Sequence, residues 1–158
     1  MTPYTAEIRW DRGDAPFVGN HYSRRHRWHF DGGADVPASA SPHVVREPLS
    51  DPSAVDPEEA FVAALTSCHM LFFLSFAAAR GFVVDQYVDL AVGVMGRNAA
   101  GRTAMVLITL HPAVNFSGNL LPSADAISEL HHQAHEECYI ANSVTCEVRC
   151  EPVHPGPA

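Results

Sequence analysis

Residues 56–81 read DPEEAFVAALTSCHMLFFLSFAAARG, and this stretch decides the fold class. Asp56 stands before a proline and two glutamates, an arrangement typical of a helix start. In it Asp56 is the N-cap, the proline is the first helical residue and Glu59 reaches back to the cap amide. Gly81 is the residue type that readily adopts the left-handed conformation just past a helix end. We therefore predict one long helix that runs to Arg80.

Twenty residues of this helix, Ala60 to Ala79, carry no formal charge and would be about 30 Å long, enough to span a bilayer. However, a polar cluster from Thr66 to His69 lies at its midpoint, and its flanks lack the aromatic belts and basic loop of a membrane span. A helix that is apolar on all sides is buried either in protein or in lipid. We expect a buried central helix of a protein domain.

The composition of the chain argues against several classes of function. The chain has 158 residues, no lysine and a formal net charge of −8, so it offers no basic surface for nucleic acid or for an anionic membrane. Four cysteines are too few for a disulfide scaffold, and the first residues have neither a basic start nor an apolar segment. We expect a cytoplasmic protein with reduced thiols, made of a single domain over residues 1–151 and a flexible tail over residues 152–158.

The remaining segments predict a mixture of strands and one further helix. Ser123 caps this second helix, in which Ile127, Leu130, Ala134 and Cys138 share one face at helical spacing. The sequence GRNAAGR is a turn that joins two β-rich runs into a hairpin. The predicted strands cover residues 4–10, 17–30, 82–95, 103–114 and 143–150, with residues 36–45 as an edge strand or an extended loop.

This order of elements describes an α+β domain in which sheet packs on a central helix. One small sheet can cover only one side of a helix that is apolar all round. The other side needs a second copy of the chain. We therefore predict an obligate homodimer whose strands enclose the two central helices.

Two cysteines are the candidate reactive residues, Cys68 in the middle of the first helix and Cys138 near the end of the second. Free cysteine is common in protein cores, but the Ser67-Cys68-His69 cluster interrupts an apolar run where packing alone favours alanine or leucine. Only the thiolate is a nucleophile, and Cys68 lies too far along its helix to be helped by the N-terminal dipole. A nearby cation is needed, and His69 cannot supply it because adjacent helical residues do not face each other.

The segments DPEEAFVAALTSCH and AHEECYIANS resemble the two cysteine motifs of the OsmC/Ohr family, the osmotically inducible protein C and organic hydroperoxide resistance proteins. The resemblance implies antiparallel sheets wrapped around long buried helices in an intertwined homodimer. It also implies a thiol peroxidase in which Cys68 is the peroxidatic and Cys138 the resolving cysteine. Glu58 corresponds to the glutamate that orients an arginine over the thiol, and that arginine is Arg25 or Arg46.

What the resemblance implies for the reaction is the reduction of lipid or alkyl hydroperoxides to alcohols without a cofactor. Cys68 would pass through a sulfenic acid to a disulfide with Cys138, which a dithiol such as a lipoylated or thioredoxin-like protein would reduce. The apolar residues around Cys68 favour an organic substrate over hydrogen peroxide. Tyr139 stands where the family has a proline after the resolving cysteine. This chain therefore departs from the family at the residue that shapes the surroundings of the resolving thiol.

Two other functions are compatible with the same residues. His131, His135 and Cys138 follow one another at helical spacing, and imidazole with thiolate suits zinc. Cys68 or His69 could supply a fourth ligand if the two helices touch. The chain could also be a non-enzymatic carrier of a small ligand. Cys146 and Cys150, four residues apart on the last strand, are interpreted as packing residues because they stand too far apart for a disulfide.

Overall fold

The structure is a computed structural model and describes residues 2–153. It contains two helices and eight strands, with one short 3₁₀ turn at Ala141–Ser143 after the second helix. The helices are α1 (Pro57–Ala79) and α2 (Ala124–Glu137). The strands are β1 (Ala6–Arg9), β2 (His26–Phe30), β3 (Asp35–Ala38), β4 (Val83–Asp89), β5 (Val92–Arg97), β6 (Thr103–Leu110), β7 (Pro112–Ser117) and β8 (Glu147–Cys150).

Contacts within the chain form two compact units that meet after Ala60. The first unit holds a three-stranded antiparallel sheet in the order β1-β2-β3, with Ala6 opposite Phe30 and Trp28 opposite Val36. The predicted opening hairpin is therefore confirmed, and the segment from residue 36 supplies the predicted edge strand. The prediction that the second strand begins at residue 17 is wrong, because Gly19 and Asn20 adopt positive φ and turn the chain.

The start of α1 has the predicted capping box. The Glu59 amide donates to Asp56 Oδ1 over 2.8 Å, and the Asp56 amide donates to Glu59 Oε2 over 3.2 Å. This exchange satisfies two of the amide groups that every helix start leaves without a partner. The helix stops at Ala79, and Gly81 follows with a φ of +79°. The predicted helix is thus confirmed to within one residue.

The second unit contains four strands where the sequence predicts two before α2. Each long β-rich run leaves one sheet and enters another, the first run at residues 90–91 and the second at His111. The amide of His111 donates to Asp89 Oδ1 over 2.7 Å, which ties the two crossing points together. The resulting sheets are β4-β7 and β5-β6-β8; the predicted hairpin joins β5 to β6, and β8 lies parallel to β6.

The core of the second unit lies between these sheets and the helices. Phe73, Ala77, Leu130 and Ala134 form one buried cluster with Val114, and Leu65, Ile108 and Leu110 form another. The predicted apolar face of α2 is confirmed, since Leu130, Ala134 and Cys138 are all buried. These elements confirm the α+β class.

Within one chain, α1 buries a smaller part of its surface than its apolar composition predicts. Its buried residues are Leu65, His69, Phe73 and Ala77, a stripe at four-residue spacing, whereas Leu71 on another side is 63% exposed. Within residues 2–153, α1 is also the one helix long and apolar enough to cross a membrane, a test that the core helices of soluble proteins pass as well. The sheets of a single chain cover only one side of it. The single domain over residues 1–151 stays a prediction, and most of the tail, residues 154–158, lies outside the described residues.

Candidate functional site

The two predicted cysteines are neighbours in the second unit. Cys68 is half-buried in the middle of α1, and Cys138 is buried at the residue that ends α2. Burial raises the pKa of the Cys138 thiol to about 11, and the adjacent Cys68 thiol raises it further while the Ala141 amide opposes the shift. Cys138 is therefore a protonated thiol at neutral pH, and Cys68 is the more accessible sulfur of the pair.

Backbone groups fix the position of the Cys138 sulfur. The Ala141 amide donates to Cys138 Sγ over 3.3 Å, and the thiol in turn points at the carbonyl oxygen of Leu65, 4.0 Å away on α1. Asn142 holds the turn that follows α2, because its side-chain amide donates to the carbonyl oxygens of Glu136 and Cys138 over 2.7 and 3.1 Å. The segment after α2 therefore aims an amide group at the sulfur.

Tyr139, which departs from the family motif, has a defined place beside this pair. Its ring packs edge-on against Phe72, with 5.0 Å between the ring centres, although 70% of the residue is exposed. Its carbonyl oxygen accepts a hydrogen bond from Ser143 Oγ over 2.7 Å. A tyrosine can thus stand after Cys138 without disturbing the turn that positions the sulfur.

The three charged residues predicted to assist Cys68 all lie in the first unit. Arg25 forms an ion pair with Asp51, with 2.8 Å between Nε and Oδ2, and Arg46 is exposed. Glu58 is half-buried at the second position of α1. The capping box uses Glu59 and does not involve Glu58. Their part in the chemistry of Cys68 stays a prediction.

A second group of potential ligands lies in the middle of the second unit. His69 Nε2 is 3.1 Å from His131 Nδ1, and Cys150 Sγ is 3.9 Å from His69 Nε2. The ligand atoms of the three residues lie within 4.8 Å of one another. Burial lowers the pKa of both histidines to about 4, so both imidazoles are neutral at neutral pH.

This group differs from the metal site considered from sequence. In residues 2–153 the structure brings His131 together with His69 and Cys150, and not with His135 and Cys138 as one ligand group. The interpretation of Cys150 as a packing residue is incomplete, because its sulfur also contacts His69. Sequence spacing gives no signal for this group, since its members come from α1, α2 and β8 and only the tertiary fold joins them.

The fold and the site together describe an α+β protein in which a cysteine of the long first helix lies next to a cysteine at the end of the second helix. A family model described as OsmC-like protein matches residues 50–152, about two thirds of the chain. The chain therefore belongs to the OsmC-like protein family, and the predicted resemblance and OsmC-like fold are confirmed. No curated protein matches the sequence.

Solved structures agree with this assignment. An OsmC-like protein of unknown function from Vibrio cholerae is 51% identical, with a TM-score of 0.95 over 97% of this chain and 100% of that one. An organic hydroperoxide resistance protein from Elizabethkingia anophelis is 14% identical, with a TM-score of 0.67 over 99% of both chains. The organic hydroperoxide resistance protein OhrB of Bacillus subtilis is 16% identical, with a TM-score of 0.64 over 96% of this chain and 98% of that one. The likeness to the last two structures shows a shared fold.

Proposed function

We propose that this protein is a cysteine-based peroxidase that reduces organic hydroperoxides to alcohols. The observation that carries the proposal is the proximity of two thiols in different environments, half-buried Cys68 and buried Cys138. A peroxidase of this kind needs one accessible sulfur to meet the substrate and a second sulfur near enough to form a disulfide with it. The membership of organic hydroperoxide resistance proteins in the same fold group supports the same conclusion.

In the first step the Cys68 thiolate attacks the terminal oxygen of the hydroperoxide. The O–O bond breaks, the sulfur becomes a sulfenic acid, and the alkoxide takes up a proton and leaves as the alcohol. Cys138 does not compete for the peroxide, because its pKa of about 11 keeps it protonated and its side chain is buried. The division of roles between the two sulfurs follows from these environments.

In the second step Cys138 attacks the sulfenic sulfur of Cys68, a disulfide forms and water leaves. Burial is the largest cause of the raised pKa of Cys138, and the neighbouring Cys68 adds to it. The Ala141 amide, which lowers the pKa of Cys138, is in place to favour the thiolate that this step needs.

The substrate and the reductant follow from the surroundings and from the disulfide. Apolar and aromatic side chains flank the cysteines, including Phe72 and Tyr139, and suit a hydroperoxide with an alkyl or aryl tail. A Cys68–Cys138 disulfide must be reduced by a dithiol, which we propose is a lipoylated or thioredoxin-like protein of the cytoplasm. We propose that Glu58 and one of Arg25 and Arg46 assist Cys68, since a guanidinium would stabilise both the thiolate and the leaving alkoxide.

The test treats fully reduced protein with one equivalent of cumene hydroperoxide, or of hydrogen peroxide, and maps disulfides by mass spectrometry over time. We expect a Cys68–Cys138 disulfide that forms faster with the organic peroxide. Cys68→Ser should abolish peroxide consumption, and Cys138→Ser should consume one equivalent and then stop. Cys146→Ser, which changes another half-buried cysteine, is the matched control and should behave as the wild type. Unreacted thiols in the wild type would contradict the proposal and favour a ligand carrier.

We further propose that the protein works as a homodimer. Along α1 a stripe of small residues and Leu71 stays exposed in a single chain, and Leu71 is 63% exposed. Leu90, between β4 and β5, and Val92, the first residue of β5, are also exposed, at 76% and 50%. A second copy would cover this apolar surface. Sedimentation equilibrium should show a dimer that Leu71→Glu weakens, whereas Tyr4→Glu, at an exposed apolar residue near the N-terminus, should leave it intact. A monomeric wild type would contradict this proposal.

A further inference from the structure

We propose that His69, His131 and Cys150 form a transition-metal site that binds one zinc ion, separate from the Cys68–Cys138 pair. Two imidazoles and a thiolate are ligands that zinc prefers, and a set of three protein ligands with one open position is typical of reactive zinc sites. The three ligands come from α1, α2 and β8. The site therefore depends on the tertiary fold and not on a sequence motif.

The distances between the ligand atoms are close to those that a tetrahedral ion imposes. Zinc–nitrogen bonds of about 2.0–2.1 Å and a zinc–sulfur bond of about 2.3 Å place two ligand nitrogens roughly 3.4 Å apart and a nitrogen and sulfur roughly 3.6 Å apart. The observed distances are 3.1 Å from His69 Nε2 to His131 Nδ1 and 3.9 Å from His69 Nε2 to Cys150 Sγ. These two edges differ from the tetrahedral values by about 0.3 Å each, and the third pair of ligand atoms, on His131 and Cys150, lies within 4.8 Å. Coordination would also require the two imidazole rings to tilt so that both nitrogens face the ion.

Unsatisfied polar atoms mark the same place. Of the buried side-chain nitrogen and oxygen atoms in residues 2–153, three have no hydrogen-bond partner, and two of these are His131 Nε2 and Tyr87 Oη. The Tyr87 and His131 rings lie 6.5 Å apart, and His131 is only 3% exposed. A buried polar atom without a partner costs free energy, so this cluster is unfavourable as simple packing. With the ion on Nδ1, His131 Nε2 would carry the ring proton and would need a water molecule as its acceptor.

The protonation states suit metal binding. In the empty site one of His69 Nε2 and His131 Nδ1 carries the proton of their hydrogen bond, and on metal binding that proton would move to the other nitrogen of the same ring, so that both rings bind as neutral imidazoles. Binding of Zn²⁺ to the Cys150 thiol would form a zinc–sulfur bond and release the thiol proton.

A cavity beside the ligands gives an ion access and leaves room for a fourth ligand. Its volume is 290 Å³, and His131 and Cys150 both line it. A water molecule in this cavity could complete a four-coordinate ion. His132 and His135 also line the cavity, and their imidazole groups could bind an ion transiently on its way to the site. The remaining lining residues are Ser128, Val148 and Pro152.

The experiment uses the full-length reduced protein after chelator treatment and titrates it with Zn²⁺ alone, followed by Co²⁺ as a spectroscopic probe. We expect one ion per chain and, with cobalt, a sulfur-to-metal charge-transfer band together with the visible bands of a four-coordinate ion. Cys150→Ser should abolish the charge-transfer band. It should also weaken zinc binding by more than about a hundredfold. Loss of a residue that only hydrogen-bonds to a metal ligand already lowers metal affinity about 10–100-fold, and loss of a ligand should cost more.

Matched variants keep the proposal falsifiable. Cys146→Ser changes a cysteine four residues away and His43→Gln changes an exposed histidine that does not line this cavity, and neither should alter the stoichiometry or the cobalt spectrum. Circular dichroism checks that each variant is folded. Loss of the band in Cys138→Ser instead of Cys150→Ser would overturn the proposed ligand set, and so would a wild type that binds cobalt without a thiolate band or does not bind it. Peroxide consumption by Cys68 is measured separately and stands or falls independently.

Discussion

His69 Nε2 lies 3.1 Å from His131 Nδ1, and this contact joins the middle of α1 to the middle of α2. The two rings are nearly coplanar and lie end to end, with an angle of 11° between their planes and 5.4 Å between their centres. Phe73 packs on the His131 ring, with 4.3 Å between the ring centres. The two helices thus meet through a neutral, hydrogen-bonded histidine pair inside an otherwise apolar core.

The first prediction concerns the stability of the metal-free protein in acid. Burial lowers the pKa of both histidines to about 4 from an ordinary value of 6.5; for His69 the charge of His135 adds to this and that of Asp89 opposes it. Between these pH values the unfolded chain binds more protons than the folded one. The stabilisation is therefore complete above pH 6.5 and is lost as the pH falls through 4.

Urea unfolding of chelator-treated protein should show this loss, on the order of 5 kcal/mol between pH 7.5 and pH 4.5, about half from each histidine. His43→Gln removes an exposed histidine and should keep the same decline. A double variant, His69→Leu with His131→Leu, should show a smaller one. A wild-type stability that is flat over this range would contradict the assignment of neutral buried imidazoles.

The second prediction concerns the capping box that starts α1. Asp56→Ala removes the acceptor for the Glu59 amide, and we expect the free energy of unfolding to fall by about 1 kcal/mol. Asp56→Asn retains an acceptor oxygen and is the conservative control, expected to lose less than about half as much. Thermal and urea unfolding measure both variants, and an equal loss in both would argue against the capping role.

The third prediction concerns Gly93 in β5. A Cβ atom built there would lie 2.6 Å from Val62 Cγ2 and 2.8 Å from Met105 Sδ, both closer than real contacts allow. Gly93→Ala should therefore destabilise the protein by about 1–3 kcal/mol, because the valine cannot rotate away freely. Gly32→Ala is the matched control, since its added methyl group would meet no atom within 4 Å. Urea unfolding of both variants measures the difference, and equal midpoints would show that α1 and β5 pack less tightly than the structure indicates.

The fourth prediction distinguishes the two candidate arginines. If one guanidinium stabilises the leaving alkoxide, its replacement by alanine should slow the oxidation of Cys68 by about a hundredfold, and the other variant should keep the wild-type rate. Arg25 has a partner in Asp51 at 2.8 Å, so Asp51→Asn also reports whether that ion pair positions the arginine. Stopped-flow measurement with cumene hydroperoxide gives the rates, with Arg12→Ala as the control. Unchanged rates in both Arg25→Ala and Arg46→Ala would exclude the two candidates.

Local features of the fold could be predicted from sequence wherever neighbouring residues determine them. Asp56, Glu59 and Gly81 set the two ends of α1 through hydrogen bonds and backbone conformation within a few residues. Ser123 sets the start of α2 in the same way, because its side chain accepts from the Ala126 amide. The sequence predicts single strands at residues 82–95 and 103–114, since nothing local shows that the chain changes sheets near Leu90.

The same distinction between local sequence and tertiary packing applies to the candidate sites. The sequence by itself determined the family motifs around Cys68 and Cys138, because each motif is a short segment whose residue types can be read directly. Only the tertiary structure decided that these thiols are neighbours with different environments, and that His69, His131 and Cys150 meet in the core. Burial and the approach of distant side chains depend on how helices and sheets pack, and the spacing of residues along one chain does not encode those distances.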